Sequence, residues 1–218
     1  MWILSSPARD YRRAREALAP LLAVHNGATM PHMSAVGNSH LDLAWLWPMQ
    51  ETERKTARTF AQQLRLIEKY PEYRYIQSQP AAYEMCRKRY PELYQQICEA
   101  VKKGQWIADG AMYVEPDTNM PSGEALIRQV LHGKRYYKDA FGLESRVLWL
   151  PDTFGYSACL PQVLKLSGQD NFMTIKISWS NRTVFPYNTF RWAGIDGSEV
   201  TVHMPPEGNY NSVAGPKA

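Results

Sequence analysis

"SRVLWLPDTFGYSACLPQVLKLSG", residues 145–168, decides how this chain is read. The apolar run "RVLWL" has the length of a buried strand and is too short for a helix. "PDTFGY" follows as a turn, and Gly155 within it lets backbone approach closely. "LPQVLKLSG" then reads as a short helix. Strand, loop and helix make one β/α unit, and Asp152 stands at the strand's end, where a core would not choose a carboxylate.

Working outward, the same alternation recurs. Residues 8–24 carry Ala14, Leu18, Leu21 and Leu22 at helical spacing, and "HNGATMPH" punctuates them. "MSAVGNSH" reads as a short strand and 49–70 as a long amphipathic helix stopped before Pro71. "YRYIQSQ" alternates like a strand as far as Pro80, helices fit 81–89 and 91–103, and Gly104 closes the second of them. "QWIADGAMYVEPDTN" is a strand with its loop, and Ser122 caps a helix over 123–141 that ends at Gly142. "NFMTIKIS", "TFRWAG" and "SEVTVHMP" bring the strands to seven. The expected class is α/β: a mainly parallel sheet covered by helices, either open or closed as a seven-stranded α/β barrel-like domain. Residues 1–32 are set apart as an N-terminal helical segment, and 33–218 form the α/β domain.

Composition removes several function classes. With 218 residues, 44% hydrophobic and 21% charged, the chain is an ordinary soluble globular sequence. Its net charge of +4 comes from basic residues interleaved with acidic ones, as in "RKTARTFAQQLRLIEKY". Nucleic acid is not an expected partner, because phosphate binding needs its cations on one face. Three cysteines without a CxxC pair point to a reducing compartment, and "MWILSSPARDYRRA" lacks a signal peptide's apolar stretch. No run approaches the roughly 18 apolar residues of a membrane span. The cytoplasm is the expected location.

In α/β folds the chemistry gathers where strands end. Four expected strand ends carry polar residues: "SHLD", "VEPDTN", "LPDTFGYS" and "HMPPEGNYN". His40 and Asp42 stand at i and i+2 of an extended segment, which turns both side chains to one face. An imidazole and a carboxylate converging on one point suit a cation such as Zn²⁺. Alone, the pair is also what a hydrogen-bonded His beside a surface carboxylate looks like. Asp152 across a parallel sheet would supply a third ligand, although a turn Asp is an equally ordinary reading of its local context. Catalytic zinc sites commonly keep three protein ligands and one open position.

The strings "GNSHLDLAWLWPMQET", "GAMYVEPDTNMPSGEALIRQ", "RVLWLPDTFGYSACLPQVLKLSG" and "WAGIDGSEV" resemble, in the same order, the catalytic domain of glycoside hydrolase family 38 α-mannosidases, particularly the bacterial type. The resemblance runs from about Met33 to near the C-terminus. It implies that His40 and Asp42 bind zinc, one ion per active site with another divalent cation as a substitute, and that Asp152 both ligates the ion and attacks the sugar. It further implies that Trp45 stacks under the bound sugar, that Tyr210 lines the sugar site, and that Lys176 is a basic group near the nucleophile. Glu115 and Asp117 are expected near sugar hydroxyls, with Asx-turn chemistry around Asp117 and Asn119 as the plainer reading. His203 is expected to pack near a strand end.

The implied reaction is retaining hydrolysis of terminal α-mannosyl residues of oligosaccharides, through a glycosyl group carried on Asp152. Family members are several times longer, so the chain is expected to be an N-terminal portion, its α/β domain cut short. The acid carboxylate and a further zinc-ligating His would lie beyond residue 218, and the isolated chain would be inactive. A homo-oligomer is compatible with the sequence. Two other readings stay open here: a metal-dependent carbohydrate deacetylase, and an inactive sugar-binding remnant.

Overall fold

The computed structural model describes residues 7–23, 34–209 and 211. Two compact units divide the chain, one ending at Ala35 and the other beginning at Val36. In the first, α1 (Pro7–Leu22) is a helix whose described side chains, from Tyr11 onward, are exposed. The strand expected over "MSAVGNSH" begins in residues outside the described ones and forms only at its end.

In the second unit, β1 (Gly37–Asn38) leads by a loop into α2 (Met49–Lys69), then β2 (Tyr75–Gln77) and α3 (Pro80–Arg89). Next come α4 (Pro91–Lys102), β3 (Trp106–Ala108), α5 (Gly123–Phe141), β4 (Val147–Leu150) and α6 (Leu160–Leu166). β5 (Asn171–Thr174), β6 (Thr189–Ala193) and β7 (Glu199–His203) complete it. α3 and α4 each open on a proline, whose missing N–H is one a first helical turn leaves unbonded anyway. Ser122 caps α5 by accepting from the Ala125 N–H at 3.3 Å, and Gly142 ends it at φ 69°, both as the sequence indicates. Among the described residues no helix is long and apolar enough to cross a membrane.

Among the described residues, seven strands lie in two open sheets, a parallel one ordered β1-β2-β3 and a second ordered β4-β5-β7-β6. Only β6 and β7 pair antiparallel, around a turn in which the Gly194 N–H bonds the Ser198 carbonyl at 2.8 Å. After β3 the chain leaves the ladder, because Gly110 and Ala111 adopt φ of 150° and 62°. The sheets are stitched there by Asp109, whose carboxylate accepts from the Ser145 hydroxyl and from the Arg146 N–H at 3.3 Å, and by the Trp149 N–H, which bonds the Gly110 carbonyl at 3.4 Å. "NFMTIKIS" is a strand only to Thr174. The Ser178 N–H and hydroxyl both bond the Ile175 carbonyl, and this winds Lys176–Trp179 into a 3-10 turn.

Two apolar cores back the two sheets. Phe60, Tyr75, Tyr83 and Trp106 fill the first, with Trp106 edge-on to Phe60 at 5.2 Å and to Tyr75 at 4.7 Å. Two of its polar tips are chained together: the Trp106 ring N–H donates to the Tyr83 hydroxyl at 2.8 Å, which donates to the Gln77 carbonyl at 2.9 Å. Leu148, Leu150, Leu164, Phe172 and Val202 fill the second. α5 serves both, giving Tyr137 to the first and Leu126 and Val130 to the second. It lies so close to the segment leaving β3 that a Cβ on Gly133 would meet the Ala111 carbonyl oxygen at 2.0 Å.

One hydroxyl fastens the loop between β1 and α2. Thr52, fully buried in the first turn of α2, accepts from the Ala44 N–H at 2.9 Å and the Trp47 ring N–H at 3.1 Å. It donates to the Asp42 carbonyl at 3.1 Å. That third bond anchors the backbone that carries Asp42, and the first holds Ala44 at a φ of 69° that a residue with a Cβ rarely adopts.

Gly133→Ala tests the close approach of α5. Alanine is the better helix former by roughly 1 kcal/mol, but forcing its methyl into backbone costs about 1–3 kcal/mol or more. The urea midpoint is therefore expected to fall, and an unchanged or higher midpoint would contradict the contact. Thr52→Val keeps the shape and strands three hydrogen-bond partners, so unfolding free energy should drop by about 1–3 kcal/mol. Wild-type stability in that variant would show the loop to be held by other means.

Candidate metal centre

Parallel strands leave their carboxyl ends on one side, and the polar residues found there meet. His40 lies two residues past β1, Ser78 directly past β2, Glu115 in the segment after β3, Asp152 two past β4 and Lys176 two past β5. The two sheets thus both feed one site.

Three donors converge. His40 Nε2 lies 3.1 Å from Asp42 Oδ1 and 3.4 Å from Asp152 Oδ2. One ligand atom from each residue can be chosen so that all three lie within 4.8 Å of one another. Their side chains keep 18%, 34% and 22% of their exposure, so the cluster faces solvent through a partly open side. The set of one imidazole and two carboxylates fits a borderline divalent cation, and the open side leaves room for a further ligand.

Behind the imidazole stands a third carboxylate. His40 Nδ1 lies 2.8 Å from Glu115 Oε2, and the Glu115 side chain is only 4% exposed. The Ser78 hydroxyl donates to its other oxygen. Burial alone would lower the pKa of His40, but the hydrogen bond and charge of Glu115, followed by those of Asp42, outweigh it and push the ring up to about 9. Without a metal the ring is therefore a cation at neutral pH. Its Nε2 faces the two aspartates.

Asp152 is divided between two partners. Oδ2 faces His40, while Oδ1 lies 2.6 Å from the Lys176 ammonium. Lys176 is itself buried to 6% exposure, with its ammonium 3.5 Å from the Trp179 ring centroid and 4.3 Å from that of Phe154. A cation over aromatic faces keeps part of the stabilisation that it loses on leaving water. Gly155 holds φ 100°, its carbonyl accepts from the Thr118 hydroxyl at 2.9 Å, and a Cβ there would meet the Asn119 amide at 2.7 Å. The "DTFG" turn and the "PDTN" loop thus interlock, as the sequence suggested for Gly155.

The other expected residues fall in different places. Trp45 is 66% exposed, three residues past Asp42, with its ring edge-on to Trp47 at 5.3 Å. Asp117 Oδ1 accepts from the Asn119 and Met120 N–H groups at 2.7 Å each, the Asx-turn arrangement. Glu115, read as a residue near sugar hydroxyls, instead points inward to His40. Lys176 is on the 3-10 turn rather than a strand. His203 ends β7 with Nδ1 2.8 Å from the Thr189 hydroxyl, outside the donor cluster. Tyr210 lies outside the described residues. Thr52, Ser78 and Gln79 were not singled out from the sequence. Polar residues just past "YRYIQ" were the available signal, since that strand end sits beside "SHLD" in a parallel sheet.

Comparison with known proteins gives a consistent answer. The chain is 48% identical over 193 residues to alpha-mannosidase G of Dictyostelium discoideum, covering 88% of this chain and 18% of that protein. It is 44% identical over 184 residues to an alpha-mannosidase of Saccharomyces cerevisiae, covering 84% and 17%. The chain thus spans less than a fifth of the length of these relatives. The crystal structure of an alpha-mannosidase from Enterococcus faecalis superposes with a TM-score of 0.66 at 22% identity, covering 78% of this chain and 19% of that one, a likeness of fold. The sequence model of the glycosyl hydrolases family 38 N-terminal domain matches residues 30–217, and the chain belongs to that family.

Proposed function

We propose that this chain is the metal-binding part of a retaining α-mannosidase that removes terminal α-mannosyl residues from oligosaccharides, with Asp152 as nucleophile. The observation that carries this reading is the meeting of His40, Asp42 and Asp152 around one point, with Asp152 also held by Lys176. Membership of the family and the mannosidase relatives support the substrate class.

The residues divide the work. Asp152 attacks the anomeric carbon with a carboxylate oxygen while the bond from that carbon to the leaving oxygen breaks. The leaving oxygen takes its proton from a second carboxyl group, which in retaining enzymes stands about 5–5.5 Å from the nucleophile. We assign that acid to the length of the relatives that this chain does not span. Water then displaces Asp152 from the sugar, and the same acid group accepts the proton. Lys176, 2.6 Å from Oδ1 of Asp152, faces that carboxylate with opposite charge and fixes its orientation. His40, Asp42 and Asp152 are the zinc ligands of this proposal. The ion would supply charge that orients sugar hydroxyls and keeps Asp152 an anion. Trp45, exposed beside Asp42, is assigned to stack under the sugar ring. Asp117 through its other oxygen and Tyr210 are assigned to sugar hydroxyls. Three free cysteines support a reducing compartment, the cytoplasm.

Metal uptake carries a proton signature. His40 is protonated below about pH 9 and must give up its Nε2 proton to ligate. Zinc binding at pH 7.5 is therefore expected to release about one proton, and apparent affinity should rise with pH until about 9 and then level. Calorimetry in buffers of different ionisation enthalpy measures the release. Zinc uptake without it would exclude His40 as a ligand. For the chemistry, Asp152→Asn in a zinc-loaded full-length enzyme that includes the acid should cut turnover of an aryl α-mannoside at least about a thousandfold and weaken zinc binding as well. Near-normal turnover would contradict the nucleophile, and hydrolysis of only an N-acetylated sugar amide would overturn the reaction class.

A further inference from the structure

We propose that Glu115 is a positioning residue for the metal centre: its buried carboxylate, seated behind His40, locks the imidazole so that Nε2 faces the two aspartates. The inference rests on the metal reading above and extends it to a residue that is not itself one of the ion's donors and that, by its burial, meets no sugar.

Both carboxylate oxygens of Glu115 are engaged. Oε2 lies 2.8 Å from His40 Nδ1, and Oε1 accepts from the Ser78 hydroxyl. With 4% exposure, the side chain has no open face to offer to substrate. A carboxylate this deep is costly unless opposite charge or a donor faces it, and here the Ser78 hydroxyl bonds one oxygen while the imidazole faces the other at ion-pair distance, 2.8 Å.

Gln79 fixes the pair from the other side. Its amide oxygen accepts from the Glu115 backbone N–H at 3.1 Å, and its amide nitrogen donates to the Leu41 carbonyl at 2.8 Å. One side chain therefore ties the segment carrying Glu115 to the residue that follows His40. Gln79 does this from a left-handed backbone conformation, φ 63°, which costs a residue with a Cβ free energy and persists only where its surroundings impose it. The ends of β1, β2 and the segment after β3 are thus cross-linked around one ring.

The chemical consequence follows from the two nitrogens of imidazole. When Nδ1–H is committed to Glu115, the neutral ring has its lone pair on Nε2, the atom that faces Asp42 and Asp152. A carboxylate behind a ligating imidazole also raises its basicity as a ligand, and loss of such a partner typically costs about 10–100-fold in metal affinity.

Zinc competition with a chelator on the wild-type chain and on Glu115→Ala tests the proposal, with circular dichroism to establish folding. The Ala variant is expected to bind zinc about 10–100-fold more weakly. Tight zinc uptake by the wild type together with equal affinity in a folded Glu115→Ala overturns this inference alone. A full-length protein containing this chain that takes up no zinc overturns the metal reading and this inference with it; if the chain alone binds too weakly to compare, the same Glu115 variants are compared in that full-length protein. If the Ala variant does not fold, Glu115→Gln, nearly the same shape without the charge, carries the comparison, with a loss of about tenfold expected. Wild-type affinity there is the contrary result. The Co²⁺-loaded wild type gives a readout independent of any variant. Its ligated imidazole should show one strongly shifted Nδ1 proton that exchanges slowly with water because Glu115 covers it. A fast-exchanging or missing Nδ1 proton overturns the inference.

Discussion

Three carboxylates, those of Asp42, Glu115 and Asp152, touch a single imidazole at the meeting point of two sheets. Negative charges at such distances repel one another and lose hydration, so the arrangement stands only while positive charge is present among them. His40 supplies one charge in its protonated form and Lys176 the other, from the far side of Asp152. A divalent cation would replace the His40 proton and satisfy the same demand more fully. Metal binding and proton loss are therefore two states of one electrostatic requirement.

That requirement has to be met by a scaffold stiff enough to keep like charges together. The two apolar cores share α5, so the sheet that carries His40 and the sheet that carries Asp152 are positioned by one helix. Its closeness to the strand-end segment depends on Gly133 having no side chain. Thr52 anchors the Asp42 backbone, and Gln79 clamps the segments on either side of His40. Polar anchoring of this kind serves position more than net stability, because each bond made in the fold replaces one made to water.

Chemically, the two oxygens of Asp152 meet different neighbours, a metal-donor cluster and a buried ammonium. A carboxylate held from both sides in this way keeps a constant orientation, which a nucleophile needs. The nucleophilic role proposed for Asp152 rests on that geometry.

The sequence by itself determined the local elements, because their causes are local. Helical spacing, Ser122 and Gly142 as caps, and apolar runs such as "RVLWL" fix each helix and strand within a few residues. It also placed His40, Asp42 and Asp152 at strand ends, since a carboxylate or imidazole after an apolar strand is conspicuous. Tertiary structure alone decided the rest. Splitting the strands into two sheets goes with the backbone turns at Gly110 and Ala111; the short β5 has a local cause that the sequence reading missed, Ser178 bonding back to Ile175. The inward turn of Glu115, against the expectation that it meets sugar, depends on Ser78 and His40, 37 and 75 residues away in the chain. A side chain's partners across a sheet are set by register and packing, and a single strand's sequence does not encode them.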